Sequence, residues 1–319
     1  KDEKRSSYRS LASSSHSTRR YAMTRTLLLS ASSLALLATA SLSLTPAYAL
    51  TSLDNPSILA ASPSPTAPTA DDGWWSSQPK ESKLLYTNLA AAALIGIWGF
   101  IEWDYGSGGW NEADEGWFEQ DSKYGGADKL GHFWSTYAFA DALTGLYKSW
   151  GYDSAKANTY AALSAWAVQL AMELGDATSE SQGFASEDLI MNTLGALTSV
   201  VMEHAPELDR KIDFRVEYVF DSAVNGIFDD YSNHYYSVVL KLDGFDMFHN
   251  NFMKFVEFHA GYYTRGYGEN DEEHTRSTYA GIGFNFSRLL MDNGWEKTGK
   301  TLEYLQLPYT VPKVSHDLD

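Results

Sequence analysis

The sequence of 319 residues contains no cysteine. Within this sequence, that absence excludes a disulfide framework, a thiolate metal site, a cysteine nucleophile and a lipid-modified N-terminal cysteine. Basic residues are also scarce, because 24 Lys and Arg stand against 41 Asp and Glu, which gives a formal net charge of −17. No basic patch could offset the charge of a phosphate backbone, so we expect no nucleic-acid partner.

Two families of catalytic motif are missing as well. No Gly-rich phosphate loop is present to support a nucleotide enzyme, and no Ser-His-Asp spacing or nucleophile elbow supports an acyl hydrolase. Apolar material is plentiful, since hydrophobic residues make up 44% of the chain and aromatic residues 14%. That amount suits one sizeable core or two small ones and excludes a chain dominated by low-complexity disorder.

The N-terminal part has the pattern of an exported protein. In residues 23–49, Arg25 precedes an apolar stretch, and Ala47-Tyr48-Ala49 forms a small-x-small cleavage site, as in a secretory signal peptide. A retained membrane anchor is the alternative, and Pro46 with the A-Y-A ending favours cleavage. We therefore expect a location in the periplasm or in association with the outer membrane, with the inner membrane as an alternative.

The rest of the chain predicts an α+β fold, in which a four-helix, mostly apolar bundle precedes a small antiparallel β-sheet. The periodicity is helical over 84–103, 128–149, 154–175 and 186–204. It alternates over 214–220, 235–242, 254–265 and 277–286. The predicted divisions are upstream translation at 1–22, the signal peptide at 23–49, a flexible linker at 50–82, a helical domain at 83–212 and a β extension packed on the helices at 213–310.

Two segments leave alternatives open. Residues 84–103 are long and apolar enough to cross a bilayer, and we favour a buried helix or one in intimate membrane association. The strands alternate aromatic residues with glycine, which is also seen in outer-membrane barrels. Four or five strands are too few for such a barrel, so we favour a sheet with one face packed on the helices.

Polar residues at helical spacing form the candidate site. Asp128 and His132 are four residues apart, Glu173 and Asp176 three apart, and Asp188 and Asn192 four apart, so each pair shares one helix face. Their neighbours are Leu, Ile, Met, Ala and Phe, which indicates that several of these polar groups point inward. Lys129 is the nearby base, and Ser186 is the first residue of the helix predicted at 186–204.

Burying several carboxylates together is costly unless they are protonated, paired or bound to a cation. One interpretation is a packing network, in which Glu173 pairs with Lys129, Asp176 pairs with His132 and Ser186 caps its helix. The other is a divalent-cation site or a proton-transfer pair. The candidate metal ligands are Asp128, Glu173, Asp176 and Asp188.

The order of three blocks resembles a known family. D-K-L-G-H-F at 128–133, M-E-L-G-D at 172–176 and the block at 183–195 are similar to the YfiM-like family of predicted periplasmic lipoproteins, a domain of unknown function. A more distant similarity is to VanZ-like membrane proteins. The resemblance covers about residues 84–212 and implies membrane proximity and contact with envelope lipids. This sequence departs from the family label because it has no cysteine for a lipoprotein anchor.

Two functions follow from these observations. The leading hypothesis is an exported, membrane-associated cell-envelope protein with a structural or assembly role, held together by its polar cluster. The alternative is a cation- or proton-dependent hydrolase acting on an envelope lipid or phosphate ester. In that enzyme His132 would be the general base, and Asp128 and Glu173 would act with it. The sequence names no cofactor beyond a candidate divalent cation, and no protein partner.

Overall fold

The computed structural model describes residues 73–219, 230–267 and 273–319. These residues belong to one unit, Ala70–Asp319. The predicted upstream segment at 1–22, the signal peptide at 23–49 and most of the predicted linker lie outside the described residues.

Four long helices come first in the described chain. Their bounds are Lys80–Glu102 (α1), Ala127–Ser149 (α2), Ser154–Asp176 (α3) and Ser186–His204 (α4). Three short helices follow, at Pro206–Asp209 (α5), Phe286–Asp292 (α6) and Glu296–Thr301 (α7).

The starts of the long helices follow from local chemistry. Gly125 and Gly126, with φ of 60° and 82°, precede α2, and a side chain on Gly126 would collide with Phe118. Asp153 caps α3 by accepting a hydrogen bond from the backbone N–H of Lys156 at 3.0 Å. Pro206 follows α4 and starts α5.

Helix α1 is not buried. In its most apolar window only 6% of the residues are buried, although its length and composition would allow it to cross a membrane. Its contacts are with α3 and the end of α2, where Asn88 donates to the Tyr147 hydroxyl at 3.1 Å. The predicted burial of 84–103 is therefore wrong, because this helix packs along one narrow side and leaves most of its apolar surface uncovered.

The core between α2, α3 and α4 mixes alanine and a few larger apolar residues with buried polar side chains. Ala140, Ala162, Ala165 and Ala196 are buried together, and many of the larger aliphatic residues of these helices are exposed. Small side chains let these helices approach closely, and the buried polar side chains between them form hydrogen bonds with one another.

The second half of the described chain forms a six-stranded sheet. Its strands are Ile212–Tyr218 (β3), His234–Lys241 (β4), Val256–Arg265 (β5), Thr275–Phe284 (β6), Leu305–Gln306 (β7) and Lys313–Asp317 (β8). Their order across the sheet is β7-β3-β4-β5-β6-β8. Strands β3 to β6 pair antiparallel with their neighbours along the chain. A separate parallel pair joins Glu112–Ala113 (β1) to Phe184–Ala185 (β2).

The two faces of the sheet differ in chemistry. On one face Val216 and Tyr236 pack with Ala127 of α2, and Phe214 contacts Phe133 and Tyr137. The other face carries buried charged residues that pair with one another, namely Asp213, Arg215, Lys241 and Glu257, and Lys241 also pairs with Glu303 of the C-terminal segment.

The described chain mixes helix and strand, as predicted, but the sheet is larger than expected. β8 pairs antiparallel with β6, and β7 pairs parallel with β3, so the sheet is not purely antiparallel and extends beyond residue 310. The edge strands β7 and β8 are short and come from the C-terminal part of the chain. They contain too few residues for an alternating apolar pattern to predict them. Residues 254–255 lie in a 3-10 turn, and 286 begins α6, so both predicted strands were too long at one end.

The C-terminal segment is fastened to the bundle at Asp141 of α2. Its carboxylate accepts hydrogen bonds from the Tyr304 hydroxyl at 2.8 Å and the Ser199 hydroxyl at 2.5 Å. We predict that Tyr304→Phe lowers the free energy of unfolding by roughly 1–3 kcal/mol, because the buried carboxylate loses a donor. Urea denaturation followed by circular dichroism measures the change.

The matched control is Tyr309→Phe, since the Tyr309 side chain is exposed. It should leave the stability within about 0.5 kcal/mol of the parent. Equal effects of the two substitutions would contradict the fastening role of Tyr304.

Candidate functional site

The candidate site lies at one end of the helical bundle. The N-terminal turns of α2 and α4 and the C-terminal turn of α3 supply Asp128, Lys129, His132, Glu173 and Asp188. Strand β1 belongs to the loop between α1 and α2, and β2 comes directly before α4. The parallel pairing of β1 with β2 therefore holds this loop against the start of α4. The helix N-termini carry positive partial charge, which favours the carboxylates placed there.

Lys129 is the centre of one half of the cluster. Its ammonium group lies 2.7 Å from Glu115, 2.9 Å from Asp128 and 2.8 Å from Asp188, and its side chain is 1% exposed. Burial opposes the charged form, but the surrounding carboxylates outweigh it and raise the pKa of Lys129. One ammonium group therefore pairs with three acids, which come from a loop and two helices.

Glu115 belongs to the satisfied part of the cluster. Its second oxygen accepts a hydrogen bond from Lys123 at 2.7 Å. Burial acts against ionisation, yet Lys123 and Lys129 lower the pKa of Glu115 to about 2. This carboxyl group stays ionised and fixes the loop onto α2.

His132 is the centre of the other half. Its Nδ1 lies 3.2 Å from Asn192 Oδ1 and 3.7 Å from Glu173 Oε1, and its Nε2 lies 3.5 Å from Asp188 Oδ2. The imidazole is 12% exposed, while the two carboxylates are more deeply buried. One ligand atom from each of His132, Glu173 and Asp188 lies within 4.8 Å of the others.

Glu173 lacks a partner for one of its oxygens. Its Oε1 is buried and has no hydrogen-bond partner among the described residues, and its Oε2 accepts only from the Ala185 N–H at 3.5 Å. Burial, followed by the charges of Asp188 and Asp176, raises the pKa of Glu173 to about 9. An uncompensated carboxylate here is costly, so this position favours a proton or a bound cation.

The other two acids are also shifted. Burial raises the pKa of Asp188 to about 6, against the opposing effect of His132 and Lys129. Burial raises the pKa of Asp176 to about 7, against the opposing effect of the neighbouring Tyr105 hydroxyl. Asp176 is not part of either group of clustered ligand atoms among the described residues, so it lies beside the site.

Some pairings expected from the sequence are wrong. Lys129 pairs with Glu115 and the two aspartates rather than with Glu173, and His132 faces Glu173 and Asp188 rather than Asp176. Ser186 is the first residue of α4, and its side chain makes no capping hydrogen bond. Asp128 contacts Lys129 and lies outside the group formed with His132.

Three contributors were missed by sequence reasoning. Glu115 comes from the loop between α1 and α2, where no helical periodicity indicates an inward-facing side chain. Thr136 and Gln169 donate to Asn192 Oδ1 at 2.9 Å and 3.2 Å, which fixes the orientation of that amide. Thr136 lies one helical turn after His132, so helical spacing alone could have indicated it.

The comparison with protein families now has a structural context. Residues 114–204 match a family described as predicted periplasmic lipoprotein (DUF2279). That range contains Glu115, all of α2, α3 and α4, and therefore both halves of the cluster. The match covers part of the chain only and ends before the six-stranded sheet. No curated protein and no solved structure matches the chain.

The family description confirms the predicted localisation: the protein is exported and is periplasmic or membrane-associated. The printed sequence contains no cysteine, so none of its residues can carry the thioether-linked lipid of a lipoprotein.

Lys129→Met tests the satisfied half of the cluster. We predict that it lowers the free energy of unfolding by roughly 3–5 kcal/mol at neutral pH, because three buried carboxylates lose their common counter-ion. The loss should shrink at acidic pH, where the stranded carboxylates become protonated. Lys156→Met is the control, since that lysine is 67% exposed and pairs only with Asp153. A cost below about 1 kcal/mol for Lys129→Met would contradict the central role of this ammonium group.

Glu173 predicts a dependence of stability on pH in metal-free buffer. Its pKa is higher in the folded than in the unfolded state, so the folded protein retains the proton that the unfolded chain loses as the pH rises. Stability should therefore fall between about pH 4.5 and pH 9, and Glu173→Gln should reduce that fall by roughly 3–6 kcal/mol, since a tenfold difference in proton affinity is worth about 1.4 kcal/mol. Denaturation at several pH values, with exposed Glu296→Gln as the control, measures it. An unchanged pH profile in Glu173→Gln would refute the assignment.

Proposed function

We propose that the protein is an exported, membrane-associated cell-envelope protein that binds a divalent cation at His132, Glu173 and Asp188. The cation joins α2, α3 and α4, one ligand coming from each helix, so its role is to hold the bundle together in a structural or assembly function. The observation that carries this proposal is the buried, unpartnered Glu173 Oε1 facing His132.

The chemistry of the donor set supports a cation. Two carboxylates and an imidazole are ligand types that bind Zn²⁺ and Mn²⁺, and carboxylates alone suit Mg²⁺ and Ca²⁺. The separation of 3.5 Å between His132 Nε2 and Asp188 Oδ2 leaves space for an ion between them, and a carboxylate oxygen of Glu173 lies within 4.8 Å of ligand atoms of both. Glu173 Oε1, whose lone pairs could bind a cation, has no hydrogen-bond partner among the described residues.

The surroundings of His132 support the same assignment. Asn192 Oδ1 is an acceptor, so the assigned tautomer places the imidazole proton on Nδ1. Nε2 then keeps its lone pair and faces Asp188 Oδ2, a second electron-rich atom. Two such atoms attract each other only through a shared proton or a cation. Thr136 and Gln169 hold the amide in this orientation, as outer-shell residues do around metal ligands.

The second group of clustered carboxylates does not support a metal site. Glu115, Asp128 and Asp188 also have ligand atoms close together, but the ammonium group of Lys129 lies among them. An ion there would have to displace a buried lysine. Asp128 and Asp176 are accordingly left out of the proposed ligand set.

The finer resemblance to YfiM-like and VanZ-like proteins forms part of this proposal. It rests on the order D-K-x-x-H, E-x-x-D and D-x-x-x-N, which supplies His132, Glu173 and Asp188 from three successive helices. Envelope lipids are the proposed surroundings of the protein.

Cation binding is tested by thermal unfolding of the full chain, freed of metal with EDTA and then supplied with Mg²⁺, Ca²⁺, Mn²⁺ or Zn²⁺. At a concentration 100 times the dissociation constant, a bound ion adds about 2.7 kcal/mol to stability, so at least one ion should raise the Tm by several degrees. Elemental analysis of the protein purified without EDTA should find the same metal.

The variants separate the site from general metal binding by an acidic chain. His132→Ala should abolish the metal-dependent rise in Tm, and His316→Ala, an exposed histidine on β8, should preserve it. No shift with any of the four ions, or an equal shift in His132→Ala, would sink the proposal and leave a pure packing network.

A hydrolase is the second candidate, favoured by one observation. His132 is the partly exposed member of the group, so a molecule approaching from outside meets its imidazole before the buried carboxylates. His132 would be the general base and the cation would activate water on an envelope lipid or phosphate ester. Release of phosphate or fatty acid from phospholipid vesicles, dependent on metal and absent in His132→Ala, would support this candidate.

A further inference from the structure

We infer that the outer faces of α1, α3 and α4 form a lipid-contacting surface that lies against the acyl chains of a bilayer. The surface is defined by three stripes of exposed apolar residues, one on each helix. It rests on the membrane association of the proposed function and is distinct from the cation site, which faces the interior between α2, α3 and α4. The occupant we assign is membrane hydrocarbon rather than another protein.

Helix α1 contributes the largest stripe. Leu94, Ile97 and Phe100 are 67%, 58% and 70% exposed. No charged side chain occurs between residues 84 and 101, and the most apolar window has a mean hydropathy of 1.8. A helix of 23 residues is about 34 Å long, and the hydrocarbon core of a bilayer is about 30 Å thick. A core helix of a water-soluble protein would bury this window, whereas in α1 nearly all of its residues are exposed or half-buried.

Helices α3 and α4 repeat the pattern. Leu163 and Leu174 are exposed on α3, which packs between α1 and α4. On α4 the exposed residues fall at successive helical turns, namely Ile190, Leu194, Leu197 and Val201. Such a stripe normally faces the core of a soluble protein. Here the opposite sides of the same helices are buried against the rest of the bundle, so these apolar stripes face outward.

The interior of the bundle completes the argument. Between the helices lie alanines and buried polar side chains, including Asn158, Gln169 and Ser199. Asn158 donates to the Ser199 hydroxyl at 3.2 Å, and Gln169 links α3 to Asn192 of α4. Small residues and interhelical hydrogen bonds inside, with large aliphatic residues outside, are the arrangement of helices packed in lipid.

Aromatic residues flank both ends of α1. Trp74 and Trp75 precede it, with Trp75 in edge contact with Trp150 at 5.9 Å. Trp98 and Trp103 lie at its other end, 6.5 Å apart. Tryptophan is enriched at the two membrane–water interfaces, so this distribution favours a bilayer over a second copy of the chain as the occupant.

Because the sequence has no cysteine, a single introduced cysteine gives a unique labelling position. Leu94→Cys, Leu163→Cys and Leu197→Cys carry a nitroxide in the full chain, incorporated into phosphatidylcholine–phosphatidylglycerol vesicles. Collision rates with oxygen, which concentrates in hydrocarbon, are compared with those of a water-soluble nickel complex. We expect the oxygen-to-nickel ratio at all three positions to exceed several-fold that of Glu296→Cys, an exposed polar control on α7.

Measurements in EDTA make the result independent of the cation site, so either proposal can fail alone. Circular dichroism identifies any variant that fails to fold, and Ile97→Cys and Val201→Cys replace such a variant. Nickel accessibility equal to that of the Glu296→Cys control would place the stripes in water and overturn the inference. Low accessibility to both reagents, with spin–spin broadening between copies, would assign the surface to a second copy and overturn it equally.

Discussion

The packing of the helical half depends on the ion pairs made by the buried ammonium group of Lys129. Three carboxylates converge on it from a loop, α2 and α4, in a region that excludes water. Without that cation the acids could be buried only by taking up protons, at a cost that would separate the helices. With it, Asp188 can stand between Lys129 and His132 and connect the satisfied half of the cluster to the half that lacks partners.

That division gives the cluster its chemical character. Around Lys129 each of the three carboxylates contacts an ammonium group, and this part of the cluster serves packing. Around His132 the balance is incomplete, since Glu173 Oε1 is buried without a hydrogen-bond partner among the described residues. The burial-raised pKa of Glu173 reflects the same deficit of positive charge. A bound cation would remove that deficit, which is why the function proposed above places it there.

Both halves of the described chain have polar interiors. In the bundle, amides, hydroxyls and charges lie between the helices, and many of the leucines are exposed. In the sheet, Arg215 donates to Asp213 and Glu257 on the buried face, and Phe258 and Ile282 are exposed on the other. Internal ion pairs need excellent geometry to offset desolvation, and rigid helices and paired strands supply it. The apolar exterior of the helices agrees with the membrane association proposed above.

Periodicity by itself determined much of this protein. Helical spacing predicted three of the long helices to within a residue at each end, and alternation predicted the four central strands, because both patterns are local. Helical spacing also singled out Asp128, His132, Glu173, Asp188 and Asn192. Only the tertiary structure decided which charges meet. Contacts between segments far apart in sequence determine which loop residue pairs with Lys129, why Glu173 Oε1 has no hydrogen-bond partner among the described residues, and where the edge strands β7 and β8 pair. Spacing along one helix or strand carries no information about such contacts. The outward direction of the leucines was undecided for the same reason: an apolar stripe has the same period whether protein or lipid covers it.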